Sequence, residues 1–476
     1  MKPQEAVERA LEAARCDECI VIADEESTAN LRWAGNTLTT NGVGRSRQLT
    51  VIAASHRSDG ISVGVVSRAG VRADQVDDLV RAAEKAAADG APAEDARPLL
   101  SPGEAAAYVP GAAGPTGTPA TPGWDDPVAT TEIGVLRGFA EELGGVFGSA
   151  QSGGRKLYGF AEHSVTCTFL GTSTGLRLRH DQPTGKLDLN AKSVDMTRST
   201  WAGRGTRDFS DLDVAGLEAG LAQRLEWAQR KIDLPPGRYE TLLPPTAVAD
   251  LLVYMYWSAG AKDALDGRSV FSKPGGGTRV GERLASVPVT LRSDPFAPGL
   301  QCSPFVIAHA SHRESSVFDN GLALHPTSWI SDGELAALIQ TRHTAQLSAL
   351  PVTPAIDNLI LDGPPGSSAS LDDMIAGTTR GLLITCLWYI REVDPQTLLL
   401  TGLTRDGVYL VENGEVTGAV NNFRFNESPV GMLNRLAEVG ETEPTLPREW
   451  GDYFTRAAMP PLRVEGFNMS SVSQAS

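Results

Sequence analysis

A chain of 476 residues is too long for one compact core, and two large domains suit its length. Hydrophobic residues at 41% and charged residues at 21% fit a globular protein, while 49 Gly and 30 Pro favour strands and loops over helix bundles. The net charge of -16 repels phosphate backbones and anionic lipid, so nucleic acid and membrane surfaces are poor partners.

Residues 1–14 carry charge among Val and Leu at helical spacing, which predicts an amphipathic helix rather than a signal peptide. No run approaches the about 18 apolar residues needed to span a bilayer. Five scattered cysteines, Cys16, Cys19, Cys167, Cys302 and Cys386, suit a reducing compartment, and the cytoplasm is the expected location. Strands are predicted over 19–23 and 46–54, with an alternating stretch over 30–40 interrupted at Gly35-Asn36 and a further strand over 61–66. A helix follows over 74–88, where Val76, Leu79, Val80 and Ala83 share a face, Asp74 can cap the start and Gly90 can end it.

Residues 102–127, within a Pro/Gly/Ala-rich stretch spanning about 96–127, hold too few large apolar side chains to offset their ordering entropy and predict a mobile surface loop. A second, similar unit comprises a helix over 131–146, strands over 164–170, 175–180 and 186–192, and a helix over 211–232. That last helix places Val214, Leu217, Leu221, Leu225, Ala228 and Ile232 on one stripe. Pro235-Pro236-Gly237 stops it and sets a domain boundary near 235. The fold class is α+β: a domain over 1–234 of antiparallel strands with flanking helices, then a mainly antiparallel, barrel-like β domain over 235–476. Short apolar runs at 289–291, 359–361, 382–389, 397–403 and 407–411 carry the second domain. One helix breaks the pattern, over 246–258, apolar nearly all round and therefore buried, with Thr246 as its cap.

Several chemical patterns have plain structural readings. Cys16 and Cys19 form a lone CxxC without the second pair a zinc site needs. Gly171, Ser173 and Gly175 match G-x-S-x-G, but strands on both sides predict a hairpin turn instead of a nucleophile elbow. Gly275-Gly276-Gly277 and the stretch Gly363 to Gly366 lack the Lys and Ser/Thr of a phosphate loop. Cys302, His309, His312 and His325 are the best local set of metal-ligand types, yet their spacing fits no standard site. An autonomous amide hydrolase or deacylase built on that set, or on an acyl-transfer serine, is the alternative function.

Longer stretches resemble the TldD/TldE (PmbA) metallopeptidase family: Pro236-Gly237-Arg238-Tyr239-Glu240, Gly267-Arg268-Ser269-Val270-Phe271-Ser272, Ser316-Val317-Phe318-Asp319-Asn320-Gly321, Pro354-Ala355-Ile356-Asp357-Asn358, and the two segments from Gly407 to Gly414 and from Gly418 to Asn426. In the catalytic branch the helix at 246–258 carries H-E-x-x-x-H, two zinc-binding histidines and a glutamate that activates the metal-bound water. The matching positions here are Leu252, Val253 and Trp257, and the C-terminal cysteine ligand is also missing. The resemblance therefore implies a TldE/PmbA-like chain with no catalytic residue and no metal of its own. It further implies a heterodimer with a TldD-like paralogue that supplies zinc, acting on peptides. Asn421, Asn422, Arg424 and Asn426, alternating with Phe423 and Phe425, are the expected substrate-groove residues.

Overall fold

The computed structural model describes residues 1–105 and 122–473. Its first half is built on a six-stranded antiparallel sheet, with α1 (Pro3–Ala13), β1 (Glu18–Ala34), β2 (Leu38–Arg57), β3 (Gly60–Ala69), α2 (Val76–Asp89), α3 (Arg137–Ser152), β4 (Arg155–Thr172), β5 (Arg177–Ser193), β6 (Ser199–Thr206) and α4 (Val214–Trp227) following in chain order. The strand order is β3-β2-β1-β4-β5-β6. All four helices cover one face. Val7, Val76, Leu79 and Val80 pack with Cys19, Val21 and Val51 at one end, and Phe139, Leu143, Leu221 and Leu225 pack with Ala29, Leu31 and Trp33 at the other. Odd-numbered residues of β1 serve both clusters, as a two-residue side-chain period requires.

The strands run much longer than the sequence pattern predicts. The stretches 19–23 and 30–34 are one 17-residue strand, about 56 Å long at about 3.3 Å per residue. The polar middle of β1 survives as strand because its groups find partners across the sheet: Glu25 accepts from Arg47 at 2.9 Å and Asp24 accepts from Thr168 at 2.6 Å. The strands expected at 175–180 and 186–192 likewise merge into β5. Pro183 is tolerated there because it lies before Gly185, where pairing with β6 begins, so its missing N–H falls on an open stretch of edge. Gly35 and Asn36, both at positive φ (60° and 65°), make the tight turn between β1 and β2.

Three helix predictions need correction. Asp74 does not cap α2; it lies in a preceding 3₁₀ turn and pairs with Arg72, while Gln75 holds the cap position. The 131–146 helix begins at Arg137 after another 3₁₀ turn and runs on to Ser152. The 211–232 helix stops at Trp227, and Lys231–Ile232 becomes β7, pairing in parallel with Glu415–Val420. Ile232 thus follows the apolar stripe in sequence but serves a sheet, because a free strand edge takes up its backbone groups. Residues 106–121 of the expected mobile loop lie outside the described residues. Around them Leu99, Leu100 and Ala105 are buried, and Arg179 donates to the carbonyls of Gly123, Asp126 and Pro127.

Strands up to Thr206 build the first sheet, and those from Lys231 build two others. One has ten strands, along the path Leu387–Asp394, Leu399–Thr404, Phe423–Glu427, Leu462–Val472, β8 (Gly237–Leu243), Arg380–Ile384, Val408–Glu412, Glu415–Val420, β7, with Leu436–Val439 paired to Leu462–Val472. The run at 382–389 is split between two of these strands, broken where Thr385 donates its N–H to Gly407. The other sheet has six short strands, Thr290–Ser293 and Leu359–Asp362 at its centre. Both enclose α5 (Pro245–Trp257), which is buried along ten of its residues. The architecture is mixed α+β with a buried helix in the β-rich half. On the uncovered face of the first sheet, Ile20, Ile22, Leu170 and Leu178 pack against Phe305, Val317 and Phe318, joining the halves. Among the described residues no helix is long and apolar enough to cross a membrane.

Candidate functional site

Helix α5 starts on Pro245 at its first position, where the missing N–H would have no intrahelical partner anyway. Thr246 is therefore not its cap; that hydroxyl donates to the Leu446 carbonyl at 2.7 Å. Leu252 and Val253 are fully buried among the strands of the β-rich half. Trp257 is 37% exposed at the end of the helix, its ring 5.4 Å from Trp450 and 6.1 Å from Phe454. An alkyl side chain has no lone pair, and an indole N–H only donates, so these three residues fit neither a zinc ion nor a proton acceptor.

The one charged residue of α5 is Asp250, and sequence reasoning passed over it although a lone acid in an apolar helix is a visible signal. Asp250 is 0% exposed. Its Oδ1 accepts the Glu449 N–H at 2.8 Å, its backbone carbonyl accepts the Trp450 indole N–H at 2.8 Å, and its Oδ2 is buried with no partner. Burial pushes the carboxyl well above the usual carboxylate range. Glu449 in turn accepts the N–H groups of Tyr389 and Ile390 at 3.1 and 3.2 Å, acting as a substitute neighbour for the outermost strand Leu387–Asp394. Beside it the Arg448 guanidinium lies 4.0 Å from the Trp388 ring and 4.8 Å from the Trp201 ring, joining the β-rich half to β6.

The four expected groove residues divide between two places. Asn421 and Asn422 precede the strand Phe423–Glu427 and line a cavity of about 350 Å³ at the seam between the halves, with Arg198, Lys231 and Arg405. Arg424 and Asn426 lie within the strand, opposite the fully buried Phe423 and Phe425. Both meet Thr401: Arg424 donates to its hydroxyl at 3.3 Å, and that hydroxyl donates to Asn426 at 2.8 Å. Because Phe423–Glu427 is bonded to strands on both sides, its backbone cannot receive an added peptide strand.

The His/Cys set disperses. His309 Nε2 lies 2.8 Å from Asp24 on β1, His312 pairs with Glu314 at 3.0 Å, and His325 is exposed. Cys302 is buried, its thiol pushed up to about 12 by that burial. Among the described residues no three His, Cys, Asp or Glu side chains converge as metal ligands. A cavity of about 390 Å³ is lined by His312, Asp319 and Asp357, yet Asp319 is engaged by Arg342 and Asp357 by Arg456. Ser173 sits in a hairpin turn and its hydroxyl oxygen accepts the Cys19 N–H at 3.0 Å.

Residues 236–471 match the family described as PmbA/TldA metallopeptidase C-terminal domain. Among solved structures, TldE from Thermococcus kodakarensis is similar over 98% of this chain and 99% of that one, with a TM-score of 0.76 and 16% identity. A protein from Bacteroides thetaiotaomicron described as a candidate modulator of DNA gyrase gives 0.73 and 16% over 99% and 98% of the two chains. A protein from Thermotoga maritima with the same description gives 0.73 and 16% over 98% and 99%. No curated protein matches the chain. At such identities the likeness to solved structures carries the fold alone.

Proposed function

We propose, from the premise that the chain belongs to the PmbA/TldD metallopeptidase family through residues 236–471, that it is the TldE-like, non-catalytic subunit of a heteromeric zinc peptidase. In this reading a TldD-like paralogue supplies zinc and the general base for amide hydrolysis, and this chain contributes fold and binding surface. The observation that supports it most is α5 itself: Leu252 and Val253 are core side chains with no exposed area, and Trp257 offers only an N–H donor. A shift of the alignment by a residue or two leaves the argument intact, since no histidine occurs between His180 and His309. Peptide as substrate and the cytoplasm as location belong to the same proposal, the latter on composition alone.

The test is zinc content and peptidase activity of the purified chain, alone and mixed with a TldD-type protein that retains H-E-x-x-x-H. A metal-free, inert chain that co-elutes with its partner and accompanies peptide cleavage is the expected result. Stoichiometric zinc or cleavage by the chain alone would overturn the proposal.

A further inference from the structure

The cavity of about 350 Å³ at the seam is assembled from segments far apart in sequence: the start of β6, β7, the turn at Arg405 to Gly407, and Asn421-Asn422. Within a chain of net charge -16 its wall carries three cations, Arg198, Lys231 and Arg405, against two carboxylates, Asp233 and Asp406. Asp406 is already committed, accepting the Ser199 hydroxyl and lying 3.6 Å from Arg405 Nε. Lys231 is exposed and pairs with no carboxylate among the described residues. Arg198 gives one N–H to the Leu225 carbonyl at 2.8 Å.

Two buried donors on this wall lack an acceptor. Asn421 Oδ1 accepts the Leu234 N–H at 2.7 Å, which fixes the amide orientation and leaves Nδ2 facing away, buried and unpartnered. Arg405 Nε is likewise buried without a hydrogen-bond acceptor, its guanidinium lying over Trp388 at 5.4 Å. An orphaned buried donor is costly, and Asn421 Nδ2 on this cationic wall leaves room for a missing acceptor, while Arg405 Nε has only the Asp406 carboxylate, at 3.6 Å, beyond hydrogen-bond reach. A carboxylate is acceptor-only, with about four lone-pair sites, and carries the charge that three cations favour. The volume lies at the lower end of ligand pockets, about 300–1,000 Å³, and holds a ligand of dipeptide size.

We infer that this cavity binds a free carboxylate, that of the C-terminus of a short peptide, through Lys231, Arg405 and Asn421. The choice of a peptide as bearer of the carboxylate rests on the proposed function; the oxyanion site does not. A free inorganic phosphate is the other source of such an oxyanion.

Isothermal titration of the purified chain alone at low salt separates these cases, with acetyl-Ala-Ala, its C-terminal amide and inorganic phosphate as probes. The free acid should bind saturably at one site, with the amide weaker by about tenfold or more, as expected for a lost charge-assisted contact. Lys231→Gln should weaken the acid by about tenfold without moving the unfolding midpoint, since the side chain is exposed, and Lys231→Arg should restore binding. Equal binding of acid and amide, binding of phosphate only, no binding at all, or an unaffected Lys231→Gln variant would each overturn the inference. Because no partner protein is present in the titration, failure of the heterodimer reading would leave this result unchanged.

Discussion

Replacing Asp250 by Asn tests whether the acid in α5 is held neutral by its surroundings. The asparagine keeps an oxygen where Oδ1 accepts the Glu449 N–H and puts an uncharged group where Oδ2 now lies without a partner. The native carboxyl is raised well above its unfolded-state value of about 3.9, so at intermediate pH the folded chain retains a proton that the unfolded chain has released. Stability from this group is therefore fully present below about pH 3.9 and declines as pH rises, by at most about 1.4 kcal/mol per unit, until the folded value is passed. Urea unfolding followed by tryptophan fluorescence at pH 5, 6, 7 and 8 reads the effect. Asp250→Asn should gain on the parent with each step in pH up to that value. Asp250→Ala, which strands the Glu449 N–H, should lose about 1–3 kcal/mol relative to Asp250→Asn at every pH. Parallel pH profiles for parent and Asp250→Asn would refute the reasoning, because they would mean that the buried carboxyl is ionised or that its surroundings relax to hydrate it.

Leu252→Ala should cost about 2–5 kcal/mol, as for any fully buried leucine, a loss readable from the shift of a denaturant midpoint. Glu449→Ala releases the N–H groups of Tyr389 and Ile390, and amide hydrogen exchange should accelerate at those two residues before the rest of the strand; unchanged exchange there would contradict the bridging role. Arg448→Ala removes stacking on two rings at once, with an expected loss of about 1–2 kcal/mol and an altered tryptophan emission from Trp201 and Trp388.

Local pattern carried a good part of the architecture. The 3.6-residue period placed the apolar faces of α2 and α4, Gly35-Asn36 interrupted an alternating stretch where the structure turns, and the apolar run at 246–258 located the buried helix. Strand length was not legible, because the polar centre of β1 is stabilised by cross-strand partners, Arg47 and Thr168, that lie well away in the chain. Ile232 shows the same limit: its periodicity belongs to a helix, but an open sheet edge outcompeted one more helical turn.

For the site, the residue types at 252, 253 and 257 could be read directly, since no fold gives leucine, valine or tryptophan a lone pair for zinc. Which polar groups share a cavity could not. Asn421 and Arg424 are three residues apart, yet one lies ahead of a strand at the seam and the other on the face of that strand, while Arg198 and Lys231, each far from Asn421 in the chain, line the same cavity as it does. Sequence alone determined what each side chain can donate or accept; only the tertiary structure decided which of them are desolvated together, because burial and proximity depend on contacts between segments distant in the chain.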